Sequence, residues 1–218
     1  METHVVDHLG RQGDGVIAAP DGAIYAPLTL PGETVTGRRE GDRLTDIVID
    51  RPSPRRRQPV CRHFGVCGGC AIQHADEALV AEWKTATIAQ ALAARGLATT
   101  LRPIIVMPAG ARRRVVFAGR RTRKTTLVGF HGHASSTLAP VMECPVAAPE
   151  IVAALAALAE ITGLVASRSG EARLTVTLCE TGLDVAVEGQ RPMDGALFDA
   201  LSTIAKQADL ARLTYDGD

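Results

Sequence analysis

The sequence predicts an α+β protein in which a small N-terminal β-barrel precedes a mixed α+β region. Three observations lead there. Residues 1–50 are short apolar pieces separated by turn residues at about ten-residue spacing, the pattern of a small barrel. Residues 75–95, 151–158 and 197–204 carry helical patterns. Leu174, Val176 and Leu178 alternate with threonines, and Val185 and Val187 follow Glu180-Thr181-Gly182, as in a hairpin with one buried face.

The barrel strands are expected around Val5-Val6, Val16-Ile17, Ile24-Tyr25, residues 34–36 and residues 47–49. Gly10, Gly13, Gly15, Asp21-Gly22, Pro31-Gly32 and Gly41-Asp42 mark the turns. Arg51-Pro52-Ser53-Pro54 reads as an extended linker, because proline restricts itself and its predecessor. The helix over 75–95 stops at Gly96. Its Ile88 and Leu92 fall nearly opposite Leu79 and Trp83 at 100° per residue, so one buried stripe does not explain it. It is expected either to be covered on two sides or to kink at residues 85–87. Ile151, Val152, Leu155 and Leu158 form a single stripe, as do Leu197, Phe198, Leu201 and Ile204. Further strands are expected at 115–117 and 127–130.

The 218 residues are 46% apolar and 3% aromatic, too apolar for a disordered chain. The N-terminus lacks a basic stretch followed by an apolar one, so no signal peptide is expected. The longest apolar run has nine residues, 151–159, against roughly 20 needed to cross a bilayer. The expectation is a soluble, cytoplasmic, monomeric protein without a membrane partner. In that reducing setting the cysteines suit metal binding better than disulfides.

Net charge is zero, with 24 basic and 24 acidic residues, but the charges are separated. Residues 51–62 hold five arginines and no acid. Residues 102–124 hold Arg102, Arg112, Arg113, Arg114, Arg120, Arg121, Arg123 and Lys124, again without an acid. These windows contain 13 of the 24 basic residues, leaving 11 against 24 acidic elsewhere. Two acid-free windows flanking a cysteine cluster point to an anionic partner, and arginine's planar fork suits phosphates and unstacked bases. Arg55, Arg56, Arg57, Arg112, Arg113, Arg114, Arg120, Arg121, Arg123 and Lys124 are the candidate nucleic-acid contacts. A solvated charged face is the plainer alternative.

Cys61, Cys67 and Cys70 lie in a C-x5-C-x2-C pattern, and Cys144, followed by Pro145, is the natural fourth thiol. The spacing points to a [4Fe–4S] cluster: its iron is thiophilic, and Gly68-Gly69 lets backbone curl close and aim N–H groups at sulfur. Structural zinc remains an alternative, although four-cysteine zinc sites usually pair two C-x2-C knuckles; unrelated thiols are another. Cys179, mid-strand, reads as a packed or surface thiol. His63 and His74 read as surface or capping residues rather than ligands.

GDGVIAAPDGAIYAPLTLPGETV, the S-P-R-R-R-Q-P-V-C lead-in, C-G-G-C-A-I-Q-H, RRRVVFAG and LVGFHGHASSTLAPVMECPV together resemble the N-terminal half of cytoplasmic RNA uracil-5-methyltransferases of the kind that modify 23S ribosomal RNA. The resemblance implies an OB-like, TRAM-like barrel over 1–52, a linker and cysteine loop over 53–74, a helix over 75–100 that docks on a catalytic domain, and a central α+β domain over 101–218. It implies that Cys61, Cys67, Cys70 and Cys144 ligate a [4Fe–4S] cluster supporting fold and RNA binding, and that the partner is RNA, ribosomal in kind. In the family a cysteine attacks C6 of a flipped-out uracil, S-adenosylmethionine methylates C5, and a carboxylate removes the C5 proton. No glycine-rich strand–turn–helix for S-adenosylmethionine and no S-C-N-P-like nucleophile motif occurs here. The expectation is therefore that a Rossmann-like methyltransferase domain is absent, that S-adenosylmethionine belongs to the full-length enzyme, and that this chain alone is inactive. An iron–sulfur electron carrier and a zinc-stapled nucleic-acid module are the rival readings.

Overall fold

A computed structural model describes residues 1–216. The chain divides into two compact units, residues 1–60 with 70–106, and residues 61–69 with 107 onward.

The first unit contains β1 (Glu2–Val5), β2 (His8–Leu9), β3 (Gly15–Ala19), β4 (Gly22–Ala26), β5 (Thr34–Glu40), β6 (Arg43–Arg51) and α1 (Glu77–Ala93). The sheet order is β1-β5-β6-β4-β3-β2. Two-residue turns, Pro20-Asp21 and Gly41-Asp42, join β3 to β4 and β5 to β6. Register shifts bend the β5–β6 ladder, and Val6, Ile17, Ile24, Ala26, Val35 and Leu44 fill the concave side. One pair, Tyr25 with Arg43, joins β4 to β6 in parallel.

The helix begins at Asp76, whose side chain accepts the Leu79 N–H at 2.7 Å. It ends before Gly96, which has φ +69°. Leu79, Val80 and Trp83 pack with Leu9, Leu30, Ile72 and Ala75 in a small second core. Trp83 Nε1 also donates to the Gly10 carbonyl at 2.8 Å, while Ile88 on the far side is 51% exposed. Within this unit the helix is covered on one side.

The second unit contains β7 (Arg114–Arg121), β8 (Thr126–His131), β9 (Leu138–Pro140), α2 (Pro149–Ala153), α3 (Leu155–Val165), β10 (Glu171–Cys179), β11 (Gly182–Glu188), α4 (Gly195–Gln207) and β12 (Leu210–Tyr215). Its sheet runs β12-β11-β10-β7-β8-β9. The pairs are antiparallel except β11–β12, which α4 joins as a parallel crossover. Phe117, Leu174, Val176 and Val185 face Ile151, Leu158, Ile161, Val165 and Leu197 in the core. The apolar 151–158 stripe spans two helices, α2 and α3, and Phe198 of the α4 stripe is 60% exposed.

These sheets correct the expected fold class. The predicted OB-like, TRAM-like barrel is an open, mixed half-barrel. Its edges β1 and β2 are successive segments of chain that pair elsewhere, β1 with β5 and β2 with β3, and the Val6 and Asp7 N–H groups between them donate to the Glu33 and Val16 carbonyls. The predicted separate α+β cluster domain is a second mixed sheet backed by helices. Among the described residues no helix is long and apolar enough to cross a membrane.

Candidate metal centre and nucleic-acid surface

Cys61, Cys67, Cys70 and Cys144 are all half-buried, as is Cys179. Cys61, Cys67 and Cys144 belong to the second unit and Cys70 to the first. Around Cys67 the loop is tightly organised. The Gly68 N–H donates to the His131 carbonyl at 2.9 Å. A Cβ at Gly68 would sit 2.8 Å from that oxygen, so only glycine fits. The Gly69 N–H points at Cys67 Sγ at 3.4 Å, the donor that thiolate ligands favour.

A clasp ties this loop to the segment carrying Cys144. Arg62 Nε and Nη2 bind the two Glu143 oxygens at 2.8 and 2.9 Å. The Met142 N–H donates to His63 Nε2 at 3.3 Å. The residue after Cys61 is thereby paired with the residue before Cys144. The Arg62 guanidinium holds the Glu143 carboxyl below its usual range. Sequence reasoning missed the clasp, although an arginine beside one candidate ligand and a glutamate beside another was a readable signal. The donors and the backbone fit a thiophilic metal group. The grouping does not: among the described residues no three His, Cys, Asp or Glu side chains converge closely enough to hold a metal. His74, read as a surface or capping residue, is 1% exposed. Burial, then the nearby Arg56 charge, depresses its pKa to about 4. Cys179 is half-buried at the end of β10, its thiol 3.9 Å from the Thr177 carbonyl.

The arginine windows differ in their partners. Arg55 binds Asp76 through Nε and Nη2 at 3.1 and 2.9 Å, and Glu82 through Nη1 at 2.6 Å. Those carboxylates hold it more firmly protonated than usual. Arg56 grips Glu33 at 2.6 and 2.8 Å, and Glu33 is fully buried. Burial works to raise the Glu33 pKa, but Arg56 and the Ser53 and Leu30 N–H groups outweigh it and hold the carboxyl below its ordinary value. Arg57 donates to the Pro54 and Arg56 carbonyls and lies 3.8 Å from Asp76.

In the second window Arg113 donates to the Leu178 carbonyl at 3.1 Å, and Arg120 pairs with Glu171. Arg112, Arg114, Arg121, Arg123 and Lys124 are exposed. No carboxylate among the described residues pairs with any of these five. The last three sit at the turn of the β7–β8 hairpin.

No family model matches the chain. Over 210 residues it is 41% identical to an uncharacterised RNA methyltransferase of Brucella suis biovar 1, covering 96% of this chain and 51% of that protein. A Rhizobium meliloti protein, also named an uncharacterised RNA methyltransferase, is 37% identical over 99% of this chain and 54% of its own length. The 23S rRNA (uracil(1939)-C(5))-methyltransferase RlmD of Edwardsiella ictaluri is 34% identical over 96% of this chain and 50% of its own length. The chain thus spans about half the length of the curated relatives it matches. Among solved structures, a Pyrococcus abyssi tRNA (uracil-54, C5)-methyltransferase in complex with S-adenosyl-L-homocysteine matches with a TM-score of 0.62 and 18% identity, over 91% of this chain and 48% of that one. This likeness completes the correction of the fold class. The two mixed sheets share their fold with about half of that structure, and the absence of a Rossmann-like domain is not a property to be read from this chain.

Proposed function

The chain belongs to the RNA methyltransferase family, and from that premise we propose that it is the N-terminal, RNA-gripping portion of an S-adenosylmethionine-dependent uracil-C5 methyltransferase acting on ribosomal RNA in the cytoplasm. The observation that carries this reading is identity of 34–41% along nearly the whole chain to proteins named RNA methyltransferases, one of them specific to 23S rRNA uracil. The exposed cations Arg112, Arg114, Arg121, Arg123 and Lys124 supply the phosphate contacts. The exposed far side of α1, with Ile88, packs against the part of the protein that this chain does not span.

Cys61, Cys67, Cys70 and Cys144 hold a [4Fe–4S] cluster in this reading. It is supported by the spacing, the Gly69 N–H on sulfur and the Arg62–Glu143 clasp. Such a cluster would supply a rigid cross-link between segments of the chain. Iron and sulfide analysis of anaerobically purified protein, with an absorbance shoulder near ~400 nm, is expected. Stoichiometric zinc with no such shoulder overturns the cluster.

The enzymatic part is tested with the full-length protein, tritiated S-adenosylmethionine and 23S rRNA. Label at uracil C5 is the expected result, and transfer to no RNA uracil refutes the reading.

A further inference from the structure

The first unit holds a cavity that the cysteine loop and the arginine windows do not account for. It has a volume of about 630 Å³, within the usual range for small-molecule sites. One wall is the Gly10–Asp14 turn, another is α1 at Thr87 and Gln90, and the floor is Tyr25 of β4 with Asp42 and Arg43. The walls are fixed by the fold. Trp83 Nε1 holds the turn to the helix through the Gly10 carbonyl at 2.8 Å. The Tyr25 N–H donates to the Asp42 carbonyl at 2.7 Å. Gly10 keeps the space beside the tyrosine ring open, since a Cβ there would lie 3.8 Å from Tyr25 Cε1 and 3.2 Å from Val16.

The lining chemistry is unusual for this chain. The protein has seven aromatic residues, and Tyr25 is left 39% exposed with its ring at this cavity. Arg11 and Arg43 line it and, among the described residues, have no ion-pair partner that would hold their guanidinium groups away from a ligand. Asp14 and Asp42 lie alongside them. Two carboxylates would repel a free polyphosphate. A neutral heterocycle with both donors and acceptors can use the arginines, the aspartates and the amides of Gln12 and Gln90 together, while its π-face lies on Tyr25.

We propose that this cavity receives one unpaired base of an RNA strand, stacked on Tyr25 and read at its edge by Arg11, Arg43, Gln12 and Gln90. The inference rests on the RNA reading above and narrows its ligand to an unstacked nucleotide. A base within a duplex cannot enter, because its faces are already covered.

The test is fluorescence anisotropy of the 218-residue chain with a fluorescein-labelled oligouridylate 12-mer, free or sealed in a duplex. Tyr25→Ala should weaken single-strand binding about 5- to 150-fold, leave the salt slope and duplex binding unchanged, and be rescued by Tyr25→Phe. Gln90→Trp fills the cavity from an exposed helix position and should reproduce the loss without touching the half-barrel. A strand carrying 5-iodouridine should photocrosslink to Tyr25. Parent-like binding by both Tyr25→Ala and Gln90→Trp overturns the pocket. If Arg112–Arg114→Ala still weakens binding in that case, the RNA reading survives without it. Failure of the parent chain to bind any RNA removes both.

Discussion

The two arginine windows look alike in sequence and behave differently in space. Arg55 and Arg56 are held by Asp76, Glu82 and buried Glu33, so this window secures the half-barrel and the helix after the cysteine loop. Arg112, Arg114, Arg121, Arg123 and Lys124 stand exposed, with no ion pair among the described residues. An acid-free stretch therefore measures only local sequence. Neutralisation is decided by acids that the fold delivers from more than twenty residues away, and an arginine with a buried carboxylate partner is part of the scaffold rather than a phosphate ligand.

The largest effect that could break this contrast is on stability. Arg56→Ala strands the buried Glu33 carboxylate and should cost about 3–5 kcal/mol in urea unfolding, whereas Arg114→Ala should stay within about 0.5 kcal/mol. Equal values would erase the distinction.

Next comes the pH profile of the same region. The folded pKa of His74 lies below its unfolded value, so the unfolded chain binds the proton more readily. Stability is then full above about pH 6.5 and falls as pH drops toward about 4. The loss should reach about 3 kcal/mol, and His74→Phe should flatten it. A pH-independent parent between those limits would refute this. The Glu33 contribution, from a depressed carboxyl, persists above pH 4.5 and is lost only at lower pH.

A moderate effect is expected on binding. Replacing Arg112, Arg113 and Arg114 with alanine should weaken RNA affinity uniformly across sequences and reduce the salt slope by up to about 2 for single strands. An unchanged slope in a filter-binding titration would show that the open window does not touch phosphate. The last comparison is Arg55→Ala, whose half-buried guanidinium bridges Asp76 and the exposed Glu82; its loss should lower the urea midpoint less than Arg56→Ala does and leave the salt slope alone.

Local signals predicted local structure well. Gly96 stops α1 as expected, and the threonine alternation with Glu180-Thr181-Gly182 forms β10 and β11, while the cap at Asp76 was not singled out. What escaped the sequence was pairing across distance. Nothing near Leu9 says that β2 will pack against a helix. Nothing near Arg56 names Glu33, and nothing near Tyr25 names Gln90. The helical stripe at 151–158 was legible, but its break was not: the stripe is continuous, while the chain turns at Ala154 from one helix into a second.

The Arg62–Glu143 clasp changes how a metal would be acquired. Closing a loop of some eighty residues carries an entropic cost that grows with its length. Here ordinary protein contacts close it before any ion arrives. Cys144 is thus held near Cys61 at high effective concentration, rather than searching for it as a distant stretch of chain. In the cluster reading, loading would be a short-range chelation step, and opening the clasp with Glu143→Gln should slow reconstitution more than it lowers the final occupancy.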